Sequence, residues 1–146
     1  MNLFGILDIS GSALNAERQR AEIVTSNLAN AETTHTANGG PYQRQMVVFE
    51  TKQPSVSSFG RTFNGMRREY ALGVSVGSVV SDTTPPQQRY EPSHPDADKQ
   101  GYVSYPSINP IEEMAELMEA ARAYQLNVAA VQATKGMISA SLDILR

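Results

Sequence analysis

From Met114 to the end of the chain, apolar residues return every seven positions on two adjacent lines, and this spacing constrains the fold more than any other feature. Met114, Ala121, Val128, Lys135 and Leu142 form one line; Leu117, Tyr124, Val131, Ile138 and Leu145 form the other, with Lys135 the single interruption. A heptad repeat sustained over the whole segment predicts a long helix packed along another helix. The stretch ahead of it, "SINPIEEM", supplies the start: a proline-punctuated approach, then Glu112 and Glu113 at the positive end of the helix dipole.

The first thirty residues repeat the pattern more weakly. Leu7, Leu14, Ala21 and Leu28 are spaced by seven, with Leu3, Ser10, Glu17, Val24 and Ala31 on the companion line. Ser10 and Glu17 violate it, and Gly5 and Gly11 lower helix propensity, so the first turns are expected to fray in isolation. At ~1.5 Å per residue the two segments make rods of roughly 40 and 50 Å, long enough to pair antiparallel.

Between them the composition changes. Residues 32–110 hold all eight prolines and most of the glycines. "QMVVFE" (45–50) and "GVSVGSVV" (73–80) read as strands, the second with Gly77 as a bulge. "TTPPQQRYEPSHPDADKQGY" reads as an extended, surface-lying connector. The fold class is therefore α+β: an N-terminal stem helix (1–31), a small β-rich, Pro/Gly-rich insert (32–110) and a C-terminal stem helix (111–146), the helices pairing antiparallel as a coiled-coil-like stem.

The positions flanking the seam point beyond one chain. Exposed coiled coils carry Glu and Lys beside the seam. Here those lines read Met118, Gln125, Gln132, Ser139 and Glu113, Ala120, Asn127, Thr134, Ser141, and from Ala123 to Thr134 no face carries a charge. A helix uncharged all round is a buried helix, and a single chain of 146 residues cannot surround it. "IVTSNLANA" (23–31) is uncharged too, and its amides, Asn27 and Asn30, accept burial without the desolvation penalty of a charge. These amides are expected to be covered by neighbouring subunits, Asn30 equally well being an ordinary helix-end residue beside a turn. The candidate subunit and helix interface comprises Leu7, Leu14, Val24, Asn27, Leu28 and Asn30 with the two heptad lines. Lys135 on the seam is read as fixing register or meeting a neighbour's carboxylate, and the unburied apolar stripes predict a stem that is largely unfolded or aggregation-prone before assembly.

Other chemistries find little support. A net charge of −3 and a pI near 5.3, with no basic run longer than Arg67-Arg68, argue against nucleic acid. Cysteine is absent. The amino terminus lacks the basic region of a secretory signal, and no run approaches the ~20 apolar residues of a membrane span, so membrane insertion is not expected. His94-Pro95-Asp96-Ala97-Asp98 offers metal-type ligands without a calcium-loop pattern and reads as a solvated connector. Glu112, Glu113, Glu116 and Glu119, with Arg122 nearby, read as a solvated first turn carrying an i,i+3 ion pair. "PSVSSFG" contains no nucleophile elbow. Neither an enzyme nor a cofactor site is indicated.

Two long stretches carry a resemblance. "SNLANAET" is similar to the signature near the end of the first helix of flagellar rod and hook proteins. The inserted "THTANGGPYQRQMVVFE", with Gly39-Gly40-Pro41-Tyr42 before the strand, resembles the proximal rod branch. "YEPSHPDADKQGYVSYPSINPIEEMAELMEAARAYQLNVAAVQATKGM" is similar to the carboxy-terminal signature of the same branch, with Ser107 a departure confined to a loop. The chain thus resembles the bacterial flagellar basal-body rod family, essentially end to end. The resemblance implies a structural rod subunit, exported through the flagellar type III apparatus without a cleaved signal, that polymerises helically with itself and sister rod subunits in the periplasm and transmits torque toward the hook. A cytoplasmic coiled-coil adaptor or export chaperone is the alternative, and the uncharged flanking lines speak against it.

Overall fold

The computed structural model describes residues 3–37, 39–52 and 73–143. Leu145 and "PSVSSFG" lie outside them. The chain is α+β: among the described residues there is a helix toward each end, with two small antiparallel sheets between. Helix α1 spans Leu3–Ala29 and helix α2 spans Pro110–Asp143. Asn109 caps α2: its Oδ1 accepts the Ile111 N–H at 3.1 Å while its carbonyl accepts the Glu113 N–H at 3.1 Å. Pro110, which has no N–H to lose, occupies the first turn beside Glu112 and Glu113.

Strand β1 (Gln45–Lys52) pairs with β2 (Gly73–Ser81), with an irregularity between Val48 and Phe49. Val48 opposes Ser78 and Phe49 opposes Val76, so Gly77 is the extra residue, where a bulge was expected. The connector reading of residues 83–102 needs correction, because Gln87–Tyr90 forms a strand, β3, paired with β4 (Tyr102–Tyr105). "QQRY" has no apolar alternation and all four residues are exposed, so only the partner strand, beyond an eleven-residue loop, defines it. Asp98 holds that loop by accepting the N–H groups of Gln100 and Tyr102.

The helices lie side by side and antiparallel. Asn27 of α1 meets Glu113 of α2, and Arg20, two turns back along α1, meets Glu119, two turns forward along α2. The β1–β2 hairpin runs along α1 and is tied at both ends. Asn27 holds Gln45 at the start of β1, and the Ser12 hydroxyl accepts the Val74 N–H at 3.0 Å near the start of β2. Ser12 approaches so closely that a Cβ at Gly73 would stand 2.5 Å from its Oγ. Buried residues include Ser10, Ala16, Val24 and Asn27 on α1, Glu113, Ala120 and Thr134 on α2, and Val103, Tyr105 and Ile108 in and just after β4.

The seam between the helices is displaced from the one the heptads indicate. The buried line of α2 is Glu113, Ala120 and Thr134, with Asn127, Leu117, Val131 and Ile138 half-buried beside it. Met114, Ala121, Lys135 and Leu142 are exposed. On α1, Ser10 is buried although its line seemed violated there. Polar residues occupy this seam because most satisfy themselves locally: the Asn127 amide donates to the Ala123 carbonyl and the Thr134 hydroxyl to the Ala130 carbonyl. Small residues such as Ala120 and Ala16 then let the helix backbones approach.

Candidate subunit interface

Two features of the molecule carry interaction chemistry: a polar clasp where α1 ends and α2 begins, and the face of α2 turned away from α1.

The clasp is built on Asn27, which is 0% exposed. Its Nδ2 donates to the Gln45 carbonyl at 2.8 Å and to Glu113 Oε2 at 3.1 Å. Its Oδ1 accepts the Gln45 N–H at 2.9 Å and the Tyr42 hydroxyl at 3.1 Å. Both donors and both acceptor positions of the amide are therefore used. The pair of bonds to Gln45 copies what a neighbouring strand would offer. Glu113, 1% exposed, presents its other oxygen, Oε1, to Arg44 Nε at 2.6 Å, and Arg44 Nη2 reaches Glu116 Oε1 at 2.7 Å. Burial opposes the Arg44 charge, but the hydrogen bonds and attraction of Glu113 and Glu116 outweigh it and hold its pKa above the usual guanidinium value.

The loop after α1 delivers Tyr42 and Arg44 to this point. Asn30 stops the helix: its Nδ2 donates to the Ser26 carbonyl, and its Oδ1 accepts the Thr33 hydroxyl. The chain then doubles back, with Thr36 N–H donating to the Gly40 carbonyl and Tyr42 N–H to the Thr33 carbonyl. Gly39 and Gly40 stand at φ +83° and +77°, a region that a side chain disfavours. The Gly-Gly insertion thus turns the chain so that Tyr42 lies over Asn27.

This geometry corrects the reading of Asn27 as an amide awaiting a neighbouring subunit. Asn27 is fully enclosed by residues of its own chain. Asn30, half-buried, is a helix-end residue with local bonds. The acidic set of α2 is also more than a solvated turn. Glu113 and Glu116 bind Arg44, and Glu119 meets Arg20 at 3.5 Å rather than pairing with Arg122. Arg44 and Tyr42 were absent from the sequence-derived interface. The available signal was that Arg44 is the only Lys, Arg, Asp or Glu between Glu32 and Glu50.

The outward face of α2 is the second feature. Ile111 is 73% exposed, Leu126 72%, Leu142 62% and Met118 56%, and Met114, Tyr124 and Met137 are also uncovered. Lys135 is exposed too, about half a turn round the helix from Leu126. The outward face of α1 differs, carrying Asp8, Gln19 and the exposed Arg18–Glu22 ion pair. Of the other sequence-derived interface residues, Val24 is buried, and Leu7, Leu14, Leu28, Leu117, Val128, Val131 and Ile138 are half-buried.

The connector around His94 is occupied by turn formation. His94 Nδ1 accepts the Asp96 N–H at 3.1 Å, the His94 ring meets Tyr105 edge-on, and Asp96 accepts the Thr34 hydroxyl. Arg89 lies over the Tyr105 ring at 4.5 Å. The hydrogen bond that Tyr105 donates to Glu91, with some desolvation, raises the tyrosine pKa above its ordinary value. Among the described residues no group of three or more metal-type ligands is placed to hold an ion, and no helix is long and apolar enough to cross a membrane.

Fold and site together define a structural protein built on a clasped helix pair, rather than a chain organised around a reaction centre. Residues 7–34 match the family described as flagella basal body rod protein, and residues 99–144 match the C-terminal family of the flagellar basal body rod FlgEFG proteins. The chain is 39% identical to the flagellar basal-body rod protein FlgC of Bacillus subtilis, covering 99% of both chains. It is 34% identical to that of Borreliella burgdorferi over 100% of its own length and 99% of the relative. Against that of Escherichia coli O157:H7 it is 36% identical over 99% and 98%. The chain belongs to the flagellar basal-body rod protein family, on its FlgC branch. It is a structural subunit of the flagellar basal body and not an enzyme.

Proposed function

We propose that the chain polymerises helically with copies of itself and with sister rod subunits, and that the resulting periplasmic rod carries torque from the motor to the hook. The observation that supports this most directly is the set of exposed apolar residues on α2. Ile111, Met118 and Leu126 lie open on a helix that carries no charge from Ala123 to Thr134. A neighbour's helix laid on this face, packed against Ile111, Met118 and Leu126, removes that apolar surface from water at roughly 25 cal/mol per Å². Repeated head-to-tail contacts that do not close give a filament, and close-packed helix faces resist torsion because packed interiors deform little. Export through the flagellar type III apparatus without a cleaved signal belongs to the same proposal. Lys135, exposed on the Met114–Leu142 flank, sets register or meets a carboxylate of the next subunit.

The test is enrichment of an epitope-tagged chain in detergent-extracted basal bodies, with Leu126→Glu as the companion variant. At so exposed a position the substitution changes the stability of the chain by about 0.5 kcal/mol or less, while incorporation into the rod and swimming are lost. A tagged chain found only as a small cytosolic oligomer, or normal incorporation of Leu126→Glu, overturns the reading.

A further inference from the structure

The clasp contains a carboxylate that can be buried only if a distant part of the chain has already folded. Glu113 sits in the first turn of α2 and is enclosed when α1 closes over it. The cation that meets it is Arg44, 69 residues earlier. Arg44 is held in place by the hairpin: its carbonyl accepts the Asp82 N–H at 2.7 Å just after β2, and the next residue, Gln45, begins β1. Glu116 fixes the other side of the guanidinium. Closing the two helices without Arg44 would leave Glu113 enclosed with only the Asn27 amide. A buried carboxylate with so little compensation strongly disfavours the closed state.

We propose that Glu113 acts as a veto on helix pairing that Arg44 lifts, so that α1 and α2 close at this end only after the β1–β2 hairpin has formed. Arg44 is thus a positioning residue acting through the charge of Glu113. Its consequence is an order of events: insert first, stem second. The outward face of α2 is then presented on a fixed helix pair only by chains whose insert is complete. The device belongs to the single chain and does not depend on what the chain assembles with.

The absence of cysteine makes the test direct. Spin labels on Gln19→Cys and Arg122→Cys, both exposed positions outside the clasp, report helix pairing as a distance in the full chain, while amide hydrogen exchange reports the β1–β2 ladder. The parent chain gives one short, narrow distance. Arg44→Met broadens it, lowering the closed-to-open ratio by about a hundredfold, while the β1–β2 amides stay protected. Arg44→Met combined with Glu113→Gln recovers the narrow distance, because the uncompensated charge is gone, and Glu113→Gln alone remains closed. The proposal is overturned if Arg44→Met keeps the narrow distance, if the double variant stays as open as the single one, or if the parent is open while its hairpin is protected. It is equally overturned if Arg44→Met strips protection from the hairpin and opens the helices together, since Arg44 would then be an ordinary contact of the whole fold.

Discussion

The two ends of the helix pair bury polar groups in different ways. Where α1 ends, Asn27 and Glu113 are satisfied by residues far away in sequence, Gln45, Tyr42 and Arg44. Toward the other end, Thr134 is nearly as deeply buried as Asn27, but among the described residues its hydroxyl bonds only to the Ala130 carbonyl of its own helix. A local back-bond removes the penalty of burial and specifies nothing about the partner helix. A long-range network does specify it, because every member is satisfied in only one arrangement. The clasped end therefore sets the register of the pair, and the far end follows it.

The sharpest way to break this contrast is Asn27→Asp, which sets a second carboxylate beside Glu113 and removes both amide donors. A loss of about 3–5 kcal/mol is expected, read as a fall in the urea midpoint; a loss below about 1 kcal/mol would mean that the clasp does not govern the pairing. Ala120→Leu probes the close approach between the ends. Overpacking a fully buried alanine in a tight seam is expected to destabilise by about 1–3 kcal/mol, and a neutral result in thermal unfolding would show that the helices have room to separate. Gly40→Ala tests the delivery of Tyr42 and Arg44 to the clasp, since φ +77° disfavours a side chain by about 1–2 kcal/mol. Its effect should appear in hydrogen exchange of the Tyr42–Gln45 amides before it appears elsewhere. The smallest effect is expected at the far end. Thr134→Val removes only a back-bond and should change stability by about 1 kcal/mol or less, with no change in the distance between the helices. A drop comparable to that of Asn27→Asp would erase the distinction between the ends.

The same contrast explains which parts were legible in advance. The helices were readable because periodicity is a local property, and so were β1, an apolar run, and β2, with its alternating valines, since neither pattern needs a partner to be seen. Strand β3 was not, because "QQRY" is a strand only by virtue of β4. The seam was misplaced for a related reason. Hydrophobic spacing marks apolar lines, whereas the line that meets α1 contains Glu113, Asn127 and Thr134, whose burial depends on bonds that spacing does not encode. The apolar line from Met114 to Leu142 was assigned to the partner helix within the chain, from which it is largely turned away.

By itself the sequence determined that the chain has two long helices around a β-containing middle, that α2 carries no charge from Ala123 to Thr134, and that its family is the flagellar rod. These are matters of composition, period and motif, all carried by neighbouring residues. Only the tertiary structure decided that the buried amide of "SNLANAET" is satisfied from within, that Arg44 meets Glu113 across 69 residues, and that the heptad line faces outward. The physical reason is that a polar group can be buried wherever its hydrogen bonds and charge are met, and which groups meet it is fixed by the folded chain rather than by the residues beside it.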